Sequence, residues 1–131
     1  MKVIIAGGRN ITDYKFVSDA MSHDGAQYIV SKLTEVVSGG AKGVDYLGES
    51  WAEISNKPYK IFKANWKKHG RAAGPIRNEE MGDYADALIA VWDGKSSGTK
   101  HMINYMRKLN KPVFVYILSD EEMESMLPYE G

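Results

Sequence analysis

Short, almost uninterrupted apolar runs alternate with longer amphipathic stretches along this chain. The runs that predict buried strands are residues 3–6, 35–38, 87–92 and 112–117, together with a weaker run at 59–62. Near-continuous hydrophobicity, without the alternation of a half-exposed strand, is typical of parallel strands covered on both faces. The pattern therefore predicts a mainly parallel central sheet of about five strands.

Helical periodicity fills the stretches between these runs. Residues 44–54 and 99–109 each place apolar side chains on one side, and Pro75 suits the first turn of a helix that continues to Tyr84. Residues 13–33 predict one or two helices, with a break at 22–25. Strand and helix alternate, which predicts an α/β fold with helices on both faces of the sheet. We expect one domain over residues 1–131, in which 119–131 form an acidic C-terminal tail with a short helix.

Composition narrows the classes of partner. The 17 basic and 17 acidic residues cancel, which argues against nucleic acid or a membrane surface as the partner of the whole chain. There is no cysteine, and none of the three histidines pairs with another at metal-ligand spacing, so we expect no metal and no disulfide. No apolar run approaches the roughly 20 residues that span a bilayer, and we expect a cytoplasmic protein.

Glycine-rich loops follow three of the predicted strands. Residues 7–10 read Gly-Gly-Arg-Asn, residues 38–43 read Ser-Gly-Gly-Ala-Lys-Gly, and residues 93–99 read Asp-Gly-Lys-Ser-Ser-Gly-Thr. The carboxyl ends of parallel strands meet at one edge of a sheet, where doubly wound folds bind ligands. Glycine lets backbone N–H groups approach an anion, and a helix N-terminus adds a favourable dipole. The loops therefore predict a phosphate site, whereas the alternative is that they are only tight turns.

The candidate ligand-binding residues in and after these loops are Gly7, Gly8, Arg9, Ser38, Gly39, Gly40, Ala41, Gly43, Asp45, Trp66, Arg77, Asn78, Gly94, Ser96, Ser97, Gly98 and Thr99. Neither the P-loop pattern nor the dinucleotide Gly-x-Gly-x-x-Gly pattern is present. Nicotinamide chemistry therefore loses its main support, and we expect no cofactor.

Three side chains beside these loops have two interpretations each. Arg77, which we expect in the first turn of its helix, either reaches a phosphate or carboxylate or forms an ion pair with Glu80 or Asp83. Trp66 either stacks on a base or covers the core. Asp45 either caps its helix or binds a ribose hydroxyl.

Several of these motifs together resemble a known family. They are the Gly-Gly-Arg at 7–9, the Ser-Gly-Gly-Ala-Lys-Gly-Val-Asp at 38–45, Trp51-Ala52, the Ala-Asn-Trp at 64–66, the Ala-Gly-Pro-Ile-Arg-Asn-Glu-Glu-Met at 73–81, Ala85-Asp86 and Gly98-Thr99. In this order they resemble the SLOG superfamily, and within it the small YspA-like family of bacteria and phages. The resemblance implies a Rossmann-like three-layer sandwich that binds nucleotides or molecules derived from them.

The resemblance also bears on catalysis. Relatives in the SLOG superfamily include lysine-decarboxylase-like phosphoribohydrolases, which cleave N-glycosidic bonds with an arginine and a glutamate. Arg77 and Met81 match their arginine motif, but Met102 stands where their second motif, Gly-Thr-x-x-Glu, has the glutamate. A thioether neither takes a proton nor holds negative charge.

The sequence therefore favours a protein that senses or sequesters a nucleotide-like ligand. The alternative is an N-glycosidic hydrolase with Arg77 and Asp45 as uncertain catalytic residues, acting on a nucleoside phosphate or an adenine dinucleotide derivative. A third hypothesis, single-stranded nucleic acid binding through the basic loop 66–71, has the neutral net charge against it.

Relatives commonly dimerise beside the cleft, which implies a homo-oligomer that uses the region of Met102, Tyr105 and Met106; the alternative is that these methionines are core.

Overall fold

Five parallel strands form one sheet at the centre of the molecule. A computed structural model describes residues 1–128 of the 131-residue chain, so the end of the predicted tail, residues 129–131, lies outside the described residues. The strands are β1 (Lys2–Gly7), β2 (Glu35–Ser38), β3 (Tyr59–Ile61), β4 (Ala87–Trp92) and β5 (Val113–Ile117). They lie in the order β3-β2-β1-β4-β5, and every neighbouring pair is parallel. The predicted α/β fold with a five-stranded parallel sheet is confirmed.

Seven α-helices connect or follow these strands in the described part of the chain. They are α1 (Tyr14–Ser22), α2 (Gln27–Ser31), α3 (Val44–Ile54), α4 (Trp66–His69), α5 (Ala73–Tyr84), α6 (Ser97–Lys108) and α7 (Asp120–Glu124). Short 3-10 turns precede α2 and α5. None of the helices within residues 1–128 is long and apolar enough to cross a membrane.

The sheet separates two apolar layers. Because successive strand residues point to opposite faces, Val3 and Ile5 pack with α1, α2 and α3, whereas Ile4 packs with α5 and α6. All three of these β1 side chains are fully buried. The continuous hydrophobicity of β1 and β4 therefore reflects burial on both faces, and the three-layer sandwich is as expected.

Most helix boundaries agree with the pattern, and one difference matters for the site. The helix assigned to Pro75 begins two residues earlier, at Ala73, so Arg77 lies in its second turn. The prediction that Arg77 occupies the first turn, against the helix dipole, is wrong. The break at 22–25 is present, because a 3-10 turn at Asp24–Ala26 separates α1 from α2. The predicted helix of the tail is α7, with a capping box between Ser119 and Glu122.

The methionines of α6 belong to the core. Met102 is 1% exposed and Met106 is fully buried, and both pack in the layer with Met81. Tyr105 lies partly buried against them, and its hydroxyl donates to Asp83. The sequence left two interpretations of Met102 and Met106, a dimer contact or part of the core. Both are core residues, and they offer no surface to a partner.

Lys111 closes the C-terminal end of α5. Its Nζ donates to the carbonyl oxygens of Gly82, Asp83 and Ala85 at 2.7, 3.3 and 2.8 Å. We expect Lys111→Met to lower the free energy of unfolding by about 2 kcal/mol, because carbonyl groups at the helix end lose a charged donor. Urea denaturation at pH 7 measures this loss. The exposed Lys108→Met, in the last turn of α6, is the control and should change stability by less than about 0.5 kcal/mol.

Candidate ligand-binding cleft

A cleft of about 840 Å³ opens at the carboxyl edge of the sheet. It lies where β1 and β4 are neighbours and where the chain leaves β1 toward one face and β4 toward the other, which is the ligand position of doubly wound folds. Of the candidate residues, Gly7, Gly8, Arg9, Ala41, Asp45, Trp66, Arg77, Asn78, Ser96, Ser97, Gly98 and Thr99 line this cleft. Gly39 and Gly40 line a smaller adjoining cavity. Ser38, Gly43 and Gly94 line neither.

Two of the loop glycines are needed for packing between loops. A Cβ on Gly7 would lie 2.0 Å from the carbonyl oxygen of Val91, and a Cβ on Gly43 would lie 2.4 Å from that of Gly8. Gly43 also has a φ of +80°, which favours glycine. Gly43 is therefore a structural turn residue, which lines neither cavity. Gly7 lines the cleft and also allows β1 to pack closely against Val91 of β4.

Ser38 lies under the second loop. Its hydroxyl donates to Glu49 at 2.6 Å and accepts from the N–H of Gly40 at 3.1 Å. The side chain is fully buried. Ser38 therefore shapes the loop and fixes Glu49.

The loop after β4 presents an open helix N-terminus to the cleft. Asp93 accepts hydrogen bonds from the N–H groups of Lys95 and Ser96, both at 2.8 Å, which turn the chain into α6. Although burial raises the pKa of Asp93, these two bonds, together with the N–H group of Asp93 itself and the charge of Lys95, lower it overall. Ser96 is the N-cap residue but makes no capping bond, and its hydroxyl lies 3.3 Å from that of Thr99. The first N–H groups of α6 are thus left without a side-chain cap.

Asp45 is a buried carboxylate in the wall of the cleft. It is 6% exposed and lies in the first turn of α3, whose N-cap is Gly43 without a side-chain bond. Its Oδ2 accepts from the N–H of Ala41 at 3.2 Å, so it closes the preceding loop and does not cap its helix. Burial raises the pKa of Asp45 to about 6, against the opposing effects of the Ala41 N–H and the Arg77 guanidinium.

Arg77 reaches across from α5 to the second loop. Its Nη1 donates to the carbonyl oxygen of Gly39, and its Nε donates to Asn78 at 3.0 Å. Within residues 1–128 it forms no ion pair with Glu80 or Asp83, so that alternative is wrong. Burial lowers the pKa of Arg77. Arginine stays charged in proteins, so this side chain is a half-buried cation in the cleft.

Asn78 joins the two helices that flank the cleft. Its Nδ2 lies 3.4 Å from the carbonyl oxygen of Gly98 and 3.4 Å from Nδ1 of His101. His101 in turn lies 3.5 Å from Glu79. Asn78 therefore holds α5 against the first turn of α6, where it fixes the width of the cleft.

Trp66 forms an exposed wall of the cleft. It is 53% exposed, begins the short helix α4 and lies outside both core layers, so the interpretation that it covers the core is wrong. A Cβ on Gly74 would contact its ring at 3.5 Å. The indole thus stands over the start of α5 with an open face.

The amino-acid sequence is similar to those of known proteins. Residues 1–69 match the sequence model described as YAcAr, the YspA, cpYpsA-related SLOG family. The Gene 61 protein of Mycobacterium phage D29 is 35% identical over 118 residues, which cover 86% of this chain and 93% of the phage protein. The chain belongs to the YspA-related SLOG family. A second relative in this comparison, the SPbeta prophage-derived protein YoqJ of Bacillus subtilis (strain 168), is 50% identical over 50 residues, which cover 36% of this chain and 29% of YoqJ.

The family match includes the first two glycine loops, Asp45 and Trp66 but ends before Arg77 and α6. Family membership fits nucleotide-related ligand binding or a related role. Met102, which stands at the position of the glutamate in the motif considered above, lines the cleft although it is only 1% exposed.

Several residues that line the cleft are not among the candidates that the sequence predicts. His101 could have been found, because it follows Gly98 by three residues and so shares a face of α6 with it. Asn10 and Asp93 belong to loops that the sequence identifies, but the candidates there are Gly7, Gly8 and Arg9 in the first loop and only glycines and hydroxyl residues in the third. Met123 comes from α7, in the tail, and no feature of the sequence places it at the cleft.

Proposed function

We propose that this family member binds a nucleotide or a nucleotide-derived phosphate ligand in the cleft between β1 and β4. The observation that carries the proposal is the uncapped N-terminus of α6, which opens into a large cleft at the topological switch point. A helix N-terminus offers free N–H groups and a favourable dipole to a phosphate. Ser97, Gly98 and Thr99 supply these groups.

Cationic side chains supplement this helix end. Arg9, Arg71 and Lys95 all line the cleft. Lys95 also lies 3.6 Å from Asp120, but both side chains are highly exposed, so this ion pair is weak and yields readily to a phosphate. The local charge thus favours an anion although the whole chain is neutral.

Trp66 provides the apolar surface that a base requires. An indole ring with one open face stacks on any purine or pyrimidine, which contributes about 1–3 kcal/mol in single-stranded nucleic acid complexes. With the phosphate at α6 and the base on Trp66, the ribose faces Asp45 across the cleft. Asp45 then accepts hydrogen bonds from the ribose hydroxyls.

Recovery of the ligand tests this proposal. The purified protein is denatured, the released small molecules are identified by mass spectrometry, and thermal unfolding is then measured with each candidate. A ligand at one hundred times its Kd stabilises the fold by about 2.7 kcal/mol. Release of an intact nucleotide derivative that also raises Tm supports binding without turnover. No release, and no shift across a panel of nucleotides, contradicts the proposal.

Gly98→Ala separates binding from folding. A Cβ at Gly98 meets no atom within 4 Å, so the substitution strains nothing and should raise the free energy of unfolding by about 0.5 kcal/mol. The added methyl group lies where a phosphate must approach the N–H groups, and we expect at least a tenfold weaker ligand affinity. Asn104→Ala, on an exposed position of the same helix outside the cleft, is the matched control and should leave the affinity unchanged. Equal affinities of the two variants would exclude the α6 N-terminus as the phosphate site.

Asp45 favours a second candidate function, N-glycosidic hydrolysis. A buried carboxyl with a pKa of about 6 suits general acid–base work near neutral pH, and it stands in the same cleft as Arg77. Incubation of nucleoside phosphates with the protein, followed by detection of free base, tests this function. Base release that is lost in Asp45→Asn supports hydrolysis, whereas a ligand recovered intact after prolonged incubation excludes it.

A further inference from the structure

A second, smaller cavity adjoins the cleft on the side away from α6. It encloses about 340 Å³ at the carboxyl ends of β2 and β3. Arg9, Ala41, Trp66 and Arg77 line both spaces, so the two are continuous. The remaining walls of the second cavity are the turn from Gly39 to Lys42 and the segment from Lys63 to Ala64.

This cavity concentrates positive charge. Four of its lining residues are cationic, namely Arg9, Lys42, Lys63 and Arg77, and no carboxylate among the described residues lines it. Within residues 1–128, Arg9, Lys42 and Lys63 form no ion pair and donate no side-chain hydrogen bond. In a chain of zero net charge, such a group of uncommitted cations needs an explanation beyond composition.

We propose that this cavity is a second anion subsite, so that the ligand carries one anionic group at the N-terminus of α6 and another between Lys42 and Lys63. The inference rests on the proposed function and narrows it to a class of ligand. Cations that converge on a concave site and have no internal partner are the arrangement that binds phosphate oxygens.

The order of the strands sets the separation of the two subsites. The first lies at the end of β4 and the second beside β2, with β1 between them. Neighbouring strands lie about 4.8 Å apart, so the two strand ends are roughly 10 Å from one another. Two phosphates joined through a single oxygen atom lie much closer together than that. The ligand therefore has phosphates on separate sides of a nucleoside unit, as in a nucleoside bisphosphate or a dinucleotide with an additional phosphate.

Matched nucleotides test the inference. Affinities are measured by calorimetry for adenosine, guanosine, cytidine and uridine, each as the 5′-monophosphate, the 5′-diphosphate and the 3′,5′-bisphosphate. The variant is the double substitution Lys42→Gln and Lys63→Gln, at two exposed side chains without internal bonds. The control variant is Lys67→Gln with Lys68→Gln, two exposed lysines of α4 that line neither cavity.

With the base that binds best, we expect the 3′,5′-bisphosphate to bind the native protein at least tenfold more tightly than the monophosphate. The 5′-diphosphate should gain less than threefold. The Lys42/Lys63 variant should lose the bisphosphate advantage and keep its affinity for the monophosphate, while the Lys67/Lys68 control keeps both. Monophosphate binding without a bisphosphate advantage, or an advantage that survives in the Lys42/Lys63 variant, overturns the second subsite alone. No binding of any nucleotide overturns the proposed function as well.

Discussion

Replacing Asp45 with asparagine should make the protein more stable at pH 8. The folded state raises the pKa of this carboxyl from 3.8 to about 6, chiefly by burial, so the folded protein binds more protons than the unfolded chain between these values. Its contribution to stability is therefore complete below pH 3.8 and is lost as the pH rises through 6. Well above pH 6 the ionised group opposes folding by about 3 kcal/mol, and asparagine removes that cost.

Urea denaturation of both proteins between pH 5 and 8 measures this effect. As the pH rises over this interval, the native protein should lose stability relative to Asp45→Asn, because only the native protein has to ionise the buried Asp45 carboxyl. Asp19→Asn, at an exposed acid of α1, serves as the control and should follow the native curve. An Asp45→Asn protein that is less stable than the native protein at pH 8 would mean that the carboxylate stabilises the fold through Ala41 and Arg77.

A buried carboxylate that opposes folding is more readily explained by function than by structure. Proteins keep destabilising groups where binding or catalysis needs them, and perturbed carboxyls collect in such clefts. Asp45→Asn should therefore be a stabilised protein that binds its ligand poorly. This combination separates a role in the cleft from a role in the fold, because a structural residue would lose both stability and binding.

Gly7→Ala should abolish most of the stability of the fold. The added Cβ would lie 2.0 Å from the carbonyl oxygen of Val91 and 2.8 Å from Val44, so β1 and β4 cannot keep their pairing at this end. We expect a loss of about 3 kcal/mol or more in the free energy of unfolding, because the backbone of the central strands has to move. Thermal unfolding followed by circular dichroism measures it.

The neighbouring glycine provides the control for this change. A Cβ on Gly8 meets only the Ile11 side chain, 3.3 Å from Cδ1 and 3.5 Å from Cγ1, which is a far milder contact than the 2.0 Å approach at Gly7. Gly8→Ala should therefore cost less than about 1 kcal/mol. If the two variants were equally stable, the close approach of β1 to β4 would not be what requires glycine at position 7.

Much of the fold follows from local pattern. The fully buried residues of β1 and β4 produce the apolar runs that predicted strands, and the loops that follow β1, β2 and β4 share one edge because all strands are parallel. A sequence read segment by segment contains this information. The sequence also predicts Arg77 and Asp45 as members of one site, because Arg77 belongs to the motif at 73–81 and Asp45 follows the glycine loop at 38–43.

The remainder depends on contacts between distant segments. The sequence predicts too late a start for α5, because the 3-10 turn at Gly70–Ala72 runs directly into the helix and nothing between Arg71 and Pro75 marks a cap. The bond from Arg77 to the Gly39 carbonyl joins residues 38 apart, and Met123 reaches the cleft from the tail. Local periodicity carries no information on such pairs, since they form only when the layers pack.

The edge strand β3 has a consequence for self-association. It has only three residues, all exposed, with Pro58 immediately before it and Lys60 at its centre. Short length, proline and lysine are the features by which natural sheets prevent edge-to-edge pairing and aggregation. The sheet is thus protected against growth by strand addition on this side, and a homo-oligomer of this protein would have to form through other surfaces.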